Sequence, residues 1–177
     1  VIMEIGPGDS LFSMIYSRKH TSEKLYFLDV DSFASKDCKL YYELQKKLEQ
    51  ENYFTYKREK SFTSFDDVLR FYNAKYLISG LKSLKNINSN SIDYIFSHSV
   101  MEHIRKNDLQ EFIKEMFRVL KPSGVISHMS DTLRVAIVGD SDLQGAHVAI
   151  SKSEFSPAAD ATDYLVLKDK PATISIS

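Results

Sequence analysis

The chain has 177 residues, with 23 Lys and Arg against 24 Asp and Glu and a formal net charge of −1 at pH 7. That is enough for one domain with a real core and too little for two ordinary ones, and it carries no basic footprint for nucleic acid. A composition 43% hydrophobic and 12% aromatic is globular, and no apolar run approaches the ~18 residues of a membrane span.

A single cysteine, Cys38, excludes an internal disulfide and a cysteine zinc cluster and fits a reducing compartment. Glu4 and Pro7 interrupt the only apolar N-terminus, so nothing reads as a signal peptide. The expectation is a cytoplasmic protein with a small-molecule partner, no nucleic acid and no membrane.

The chain opens on Val1-Ile2-Met3-Glu4-Ile5-Gly6-Pro7-Gly8-Asp9-Ser10-Leu11, an apolar strand breaking into a tight turn. Gly6 and Gly8 let backbone approach a ligand closely, Asp9 or Ser10 can cap the next helix, and Glu4 at the strand end can meet positive charge. Leu11, Met14 and Ile15 predict a first helix over about residues 10–18. Residues 25–31 then form a second strand ending in acids. An acid about twenty residues past the glycines suits a carboxylate that takes a ribose diol; Asp29 is the first candidate and Asp31 the second.

Residues 36–52 are helix-compatible, and residues 51–61 read as loop. Ser64-Phe65-Asp66-Asp67 has capping-box spacing ahead of a helix. Residues 76–80 predict a third strand, followed by a turn at residues 86–91. Residues 91–99 form a fourth strand, apolar enough for burial on both faces. Leu109, Phe112, Ile113, Met116, Phe117 and Leu120 predict a helix, with Asn107 and Gln110 as its capping box and Lys121-Pro122-Ser123-Gly124 as its end. A fifth strand covers residues 124–129. Strands alternating with helices predict an α/β fold, a Rossmann-like doubly wound, mostly parallel sheet with its ligand at the carboxyl ends of the strands.

Past Asp131 the composition breaks. The first 131 residues hold two alanines and six asparagines, the last 46 seven alanines and no asparagine. The expected organisation is a core over residues 1–131 and a shifted segment over 132–177 completing the same sheet. Strands are expected over residues 133–138 and 164–167. The latter pairs antiparallel with residues 172–176 across the turn Asp169-Lys170-Pro171, and residues 141–163 read as loop or weak helix.

These blocks, in this order, resemble the class I S-adenosylmethionine-dependent methyltransferases of the small-molecule type, over about residues 1–131. Glu4-Ile5-Gly6-Pro7-Gly8 looks like the loop under the cofactor's methionine moiety, and Asp29 stands where the family has its ribose-binding acid. Residues 91–104 look like the fourth-strand block, which implies Ser97 at the cofactor, and residues 117–124 like the helix-to-fifth-strand block. The sequence departs from the pattern at Ser10, in place of a third small residue or glycine, and at Ser79-Gly80, where an acid often touches adenine. It also starts at the first strand, without the family's preceding helix.

The resemblance implies S-adenosylmethionine as cofactor, with Glu4, Gly6, Pro7, Gly8, Asp29, Asp31 and Ser97 around it, and methyl transfer to a small-molecule or sugar-like acceptor. Such a displacement needs positioning above all, with a base for a hydroxyl or amine acceptor. His98, and His128 with Asp131, lie at strand ends and are the candidate bases; each is equally read as a hydrogen-bonding partner of loop backbone. His103 belongs to a helix start, Tyr41-Tyr42 and Tyr94 with Phe96 to packing, and no metal spacing is present. A nicotinamide-binding reading is weakened by Leu11, which stands where G-x-G-x-x-G needs its last glycine. The alternative function is a non-catalytic binding module of this fold within a larger assembly.

Overall fold

The computed structural model describes residues 1–21, 23–51, 61–129, 134–139, 145–151 and 164–168; the last three stretches and residues 102, 106 and 107 are described by backbone only. Five short strands, β1 (Ile2–Ile5), β2 (Leu25–Leu28), β3 (Ala74–Leu77), β4 (Ile92–His98) and β5 (Leu120–Met129), form where apolar runs meet turn residues. They pair parallel in the order β3-β2-β1-β4-β5.

Parallel neighbours cannot be joined by tight hairpins, so each connection carries helix. α1 (Phe12–Ser17) links β1 to β2, and α2 (Cys38–Gln50) with α3 (Phe65–Phe71) links β2 to β3. α4 (Gly80–Lys85) links β3 to β4, and α5 (Lys106–Val119) links β4 to β5. The chain moves outward from β1 to β3 and then returns to β4 on the other side of β1. The switch point therefore lies between β1 and β4, and in open sheets of this kind ligands bind in the crevice beyond the strand ends at such a point.

Strand alternation splits the core into two layers. Leu25 and Phe27 of β2 pack with Leu11, Met14, Tyr41, Leu48 and Val68 from α1, its lead-in, α2 and α3. Met3, Ile5, Ile95 and Ile126 pack with Leu84, Phe112, Met116 and Val119 from α4 and α5. Full burial of each such side chain contributes about 1.5–3 kcal/mol.

Local chemistry sets the helix ends. The Asp37 carboxylate accepts from the Lys39 N–H at 2.9 Å to start α2, and Ser64 Oγ accepts from the Asp67 N–H at 3.1 Å to start α3. Arg118 of α5 donates to the Leu84, Lys85 and Ile87 carbonyls at 2.8–3.3 Å. It thereby satisfies the C-terminal carbonyls of α4 and fixes the turn that feeds β4.

Several expectations are corrected. Asp9 and Ser10 do not cap α1: its N-cap is Leu11, without a side-chain cap bond. Residues 78–80 are not strand; β3 ends at Leu77, Ser79 caps α4, and α4 was not expected. Asn107 lies inside α5, whose N-cap is Arg105, so the Asn107–Gln110 box does not form. The helix stops at Val119 and β5 begins at once at Leu120, taking in the Lys121-Pro122-Ser123-Gly124 segment. β4 is buried at Ile92, Ile95 and Ser97 and exposed at Asp93, Tyr94 and His98, so it is not covered on both faces.

Beyond β5 the backbone adds β6 (Arg134–Gly139), β7 (Gly145–Ser151) and β8 (Tyr164–Lys168), each antiparallel to its predecessor. β7 occupies residues expected as loop or weak helix. The expected antiparallel C-terminal pair, residues 164–167 against 172–176, is not supported. β8 takes β7 as its partner, and residues 169–177, like most of the expected 51–61 loop, lie outside the described residues.

Candidate functional site at the strand ends

The loop after β1 is built on two glycines with left-handed backbone, Gly6 at φ +67° and Gly8 at φ +72°. The Gly6 N–H donates to the Leu28 carbonyl at 2.8 Å, tying the loop to the end of β2. A Cβ on Gly6 would lie 2.3 Å from Val100 Cγ2, whereas one on Gly8 would meet nothing within 4 Å. Gly6 is therefore the point where the β1 and β4 loops touch, and Gly8 faces open space.

Glu4 lies one residue before the end of β1, half-buried, and accepts a hydrogen bond from the Ser13 hydroxyl of α1. Burial pushes its carboxyl up to about 7, and the Ser13 bond opposes that rise. Asp29, directly after β2, is only 9% exposed. Burial raises its carboxyl above the usual range; the N–H groups of Val30 and Gly8 counter this, and the Asp31 charge adds to it. The Val30 N–H reaches Asp29 Oδ1 at 2.7 Å, and the Asp29 backbone bonds Leu77 and Gly80 of the neighbouring strand end. Asp31 is exposed and accepts from the Ser32 N–H at 2.7 Å. Glu4, Pro7, Gly8, Asp29 and Asp31 thus line one sector of the rim, around the ends of β1 and β2.

Ser97 and His128 face each other across β4 and β5. Ser97 Oγ is 2.6 Å from His128 Nδ1, both residues are buried, and His128 is 5% exposed. Among the described residues its buried Nε2 has no hydrogen-bond partner, and burial brings the imidazole down to about 4. His128 is therefore buried against Ser97 and does not open toward the crevice mouth as expected; by strand alternation it shares a sheet face with Ile126. His98, at the end of β4, is exposed beside Met129. His103 ends a short 3-10 helix, Met101–His103. Asp131 lies outside the described residues.

Four contributing residues were not anticipated. Ser13 holds Glu4, Val100 fills the space above Gly6, and the hydroxyls of Tyr41 and Tyr76, expected only as packing groups or strand residues, bind loop backbone. The available signal was the phenol itself, since a buried tyrosine hydroxyl finds a partner. At the end of β3, where the sequence has Ser79-Gly80 in place of an acid, Gly80 has φ +46° and packs under Val30. Among the described residues, no three His, Cys, Asp or Glu side chains gather into a metal-ligand group, and no helix is long and apolar enough to cross a membrane.

No curated protein matches the chain closely enough to count as a relative. A methyltransferase from Aquifex aeolicus is 18% identical, with a TM-score of 0.44 over 72% of this chain and 54% of its own. A phosphoethanolamine N-methyltransferase from Haemonchus contortus is 16% identical, with a TM-score of 0.43 over 73% of this chain and 24% of its own. A methyltransferase from Archaeoglobus fulgidus is 15% identical, with a TM-score of 0.42 over 72% of this chain and 42% of its own. The chain thus spans between about a quarter and about half the length of these solved structures. The methyltransferase domain family matches residues 3–127. On that match, which covers most of the sequence, the chain belongs to the class I methyltransferases, whose cofactor is S-adenosylmethionine.

Proposed function

We propose that this chain transfers a methyl group from S-adenosylmethionine to a small-molecule or sugar-like acceptor, with residues 1–131 as the cofactor core and residues 132–177 completing the same domain. The observation that carries the reading is the sector at the ends of β1 and β2, where a glycine loop facing open space is flanked by Glu4, Asp29 and Asp31. Those residues fit the cofactor. The position where a Cβ on Gly8 would stand is empty, so an atom of the ligand can approach the backbone there, and carboxylates suit a ligand bearing sulfonium and ammonium charge.

In this reading Gly6, Pro7 and Gly8 run under the methionine moiety, Glu4 faces its cationic end, and Asp29 takes the ribose hydroxyls with Asp31 beside it. Ser97 supports the floor at the end of β4. The bound cofactor supplies a methyl group already activated on a sulfonium, so the chain's own task is to hold donor and acceptor in line. His98, exposed at the rim, is the proposed base for a hydroxyl or amine acceptor, with Asp131 as a further candidate catalytic group. His128, neutral down to about pH 4, is a poor base; its proposed role is to orient Ser97.

Calorimetric titration with S-adenosylmethionine and, separately, NAD tests the reading, followed by S-adenosylhomocysteine release over a panel of small hydroxyl and amine acceptors. Binding of the sulfonium cofactor with turnover on one acceptor class is expected. Binding of NAD in its place would overturn the assignment, and cofactor binding with no turnover on any acceptor would favour the non-catalytic module.

A further inference from the structure

Two phenol hydroxyls hold the backbone between β2 and α2, and one of them also reaches the glycine loop. Tyr41, fully buried on α2, donates to the Ser35 carbonyl at 2.6 Å and accepts from the Leu11 N–H at 3.4 Å. Leu11 ends the glycine loop and Ser35 belongs to the segment that starts at Asp29, so one hydroxyl bridges both. A backbone bond from the Ser35 N–H to the Asp9 carbonyl at 2.8 Å runs alongside.

Tyr76 of β3 folds the middle of the same segment. Its hydroxyl accepts from the Phe33 and Ala34 N–H groups at 3.0 and 3.1 Å and donates to the Asp31 carbonyl at 3.1 Å. The two phenols share a brace. Phe65, the first residue of α3, lies with its ring centroid 5.7 Å from that of Tyr41 and 6.3 Å, edge-on, from that of Tyr76. A segment with no regular structure of its own is thus fixed by side chains from two elements, which share a third as support.

We propose that Tyr41 and Tyr76 are positioning residues for the cofactor: their hydroxyls set the spacing between the glycine loop and the Asp29–Asp31 carboxylates. The argument rests on the reading of those carboxylates as cofactor ligands. Irregular backbone bearing a binding group loses affinity when it can sample other conformations, because binding must then supply the ordering. Neither phenol needs to touch the ligand to act this way.

The test is Tyr41→Phe and Tyr76→Phe, each in the wild-type and the Asp29→Asn background, titrated with S-adenosylmethionine and S-adenosylhomocysteine and melted in parallel. Each phenylalanine variant is expected to lose about 3- to 10-fold in affinity for both ligands, the effect of one neutral hydrogen bond. In the Asp29→Asn background the loss shrinks below about 2-fold, because hydroxyls acting through the acid have nothing left to position. Unchanged affinity, or the same fold-loss in both backgrounds, assigns the phenols to folding alone and overturns the proposal. Should Tyr41→Phe not fold, Tyr76→Phe decides by the same criteria. Wild-type protein that binds neither ligand would instead strike the cofactor reading beneath it.

Discussion

The two sides of the strand-end rim differ in how their polar groups are held. Around β1, β2 and β3, Glu4 has Ser13, Asp29 has the Val30 and Gly8 N–H groups, and the intervening backbone has two phenols. Around β4 and β5, among the described residues, Ser97 and His128 pair with each other, His128 Nε2 has no partner, and His98 stands exposed. The described groups of the first side are the more fully held, and groups already fixed cost no reorganisation when a ligand binds.

The contact that joins the two sides is the most sensitive to change. Gly6→Ala combines a left-handed backbone at φ +67° with a Cβ only 2.3 Å from Val100 Cγ2. Conformational strain of about 1–2 kcal/mol adds to overpacking of about 1–3 kcal/mol. Gly8→Ala, at φ +72° with nothing in reach, carries the strain alone. Urea unfolding should therefore place Gly6→Ala well below Gly8→Ala, and Val100→Ala should recover part of the difference. Equal losses at the two glycines would mean that the Val100 contact does not join the two sides.

Protonation separates the sides next. Glu4 titrates near 7 in the folded chain against about 4.5 unfolded, so between those values the native state holds a proton that the unfolded state has released. Its contribution to stability is complete below about pH 4.5 and is lost as pH rises through 7, a fall on the order of 3 kcal/mol. His128 runs the other way: with its folded value near 4 against 6.5, its contribution is complete above 6.5 and is lost as pH falls toward 4. The Glu4 loss runs between about pH 4.5 and 7 and is offset in the wild type by the His128 gain up to about 6.5, so it is read as the difference between wild type and Glu4→Gln, which should shift by about 3 kcal/mol across that window. Affinity for the cationic cofactor should rise with pH through 7 in the wild type and stay flat in Glu4→Gln. A difference between the two proteins that is flat from pH 4.5 to 7 would show that Glu4 is better solvated than its bond to Ser13 implies.

The more fully held side was also the more legible in sequence, and the reason is distance along the chain. Glu4, Gly6 and Gly8 are contiguous, and Asp29 follows after one short helix and one strand, so the pattern survives without knowledge of packing. The groups that hold it are remote: Tyr41 lies 30 residues from Leu11, and Tyr76 is 45 residues from Asp31. A tyrosine in an apolar run reads as core whether or not its hydroxyl has work to do. α4 went unread because it is six residues long, begins at a glycine and has no side-chain cap. On the other side, the covered face that His128 occupies depends on strand parity, where a shift of one residue reverses inward and outward. The sequence marked the fifth strand as starting at Gly124, while pairing begins at Leu120 and slips between Ile92 and Tyr94.

The smallest expected effect is the most informative about the ends of β4 and β5. His128→Leu leaves the Ser97 hydroxyl buried without its partner, which costs about 1–3 kcal/mol. Adding Ser97→Ala removes that hydroxyl as well, so that neither partner of the 2.6 Å hydrogen bond remains. Exchange of both partners for apolar groups can be nearly neutral, so the double variant should unfold within about 1 kcal/mol of wild type. It should also lose the acid-side decline that His128 imposes between pH 6.5 and 4. If the pair orients groups for transfer, turnover falls. A double variant as unstable as His128→Leu alone would mean that the pair is a net source of stability. The ends of β4 and β5 would then be held as firmly as those of β1 and β2.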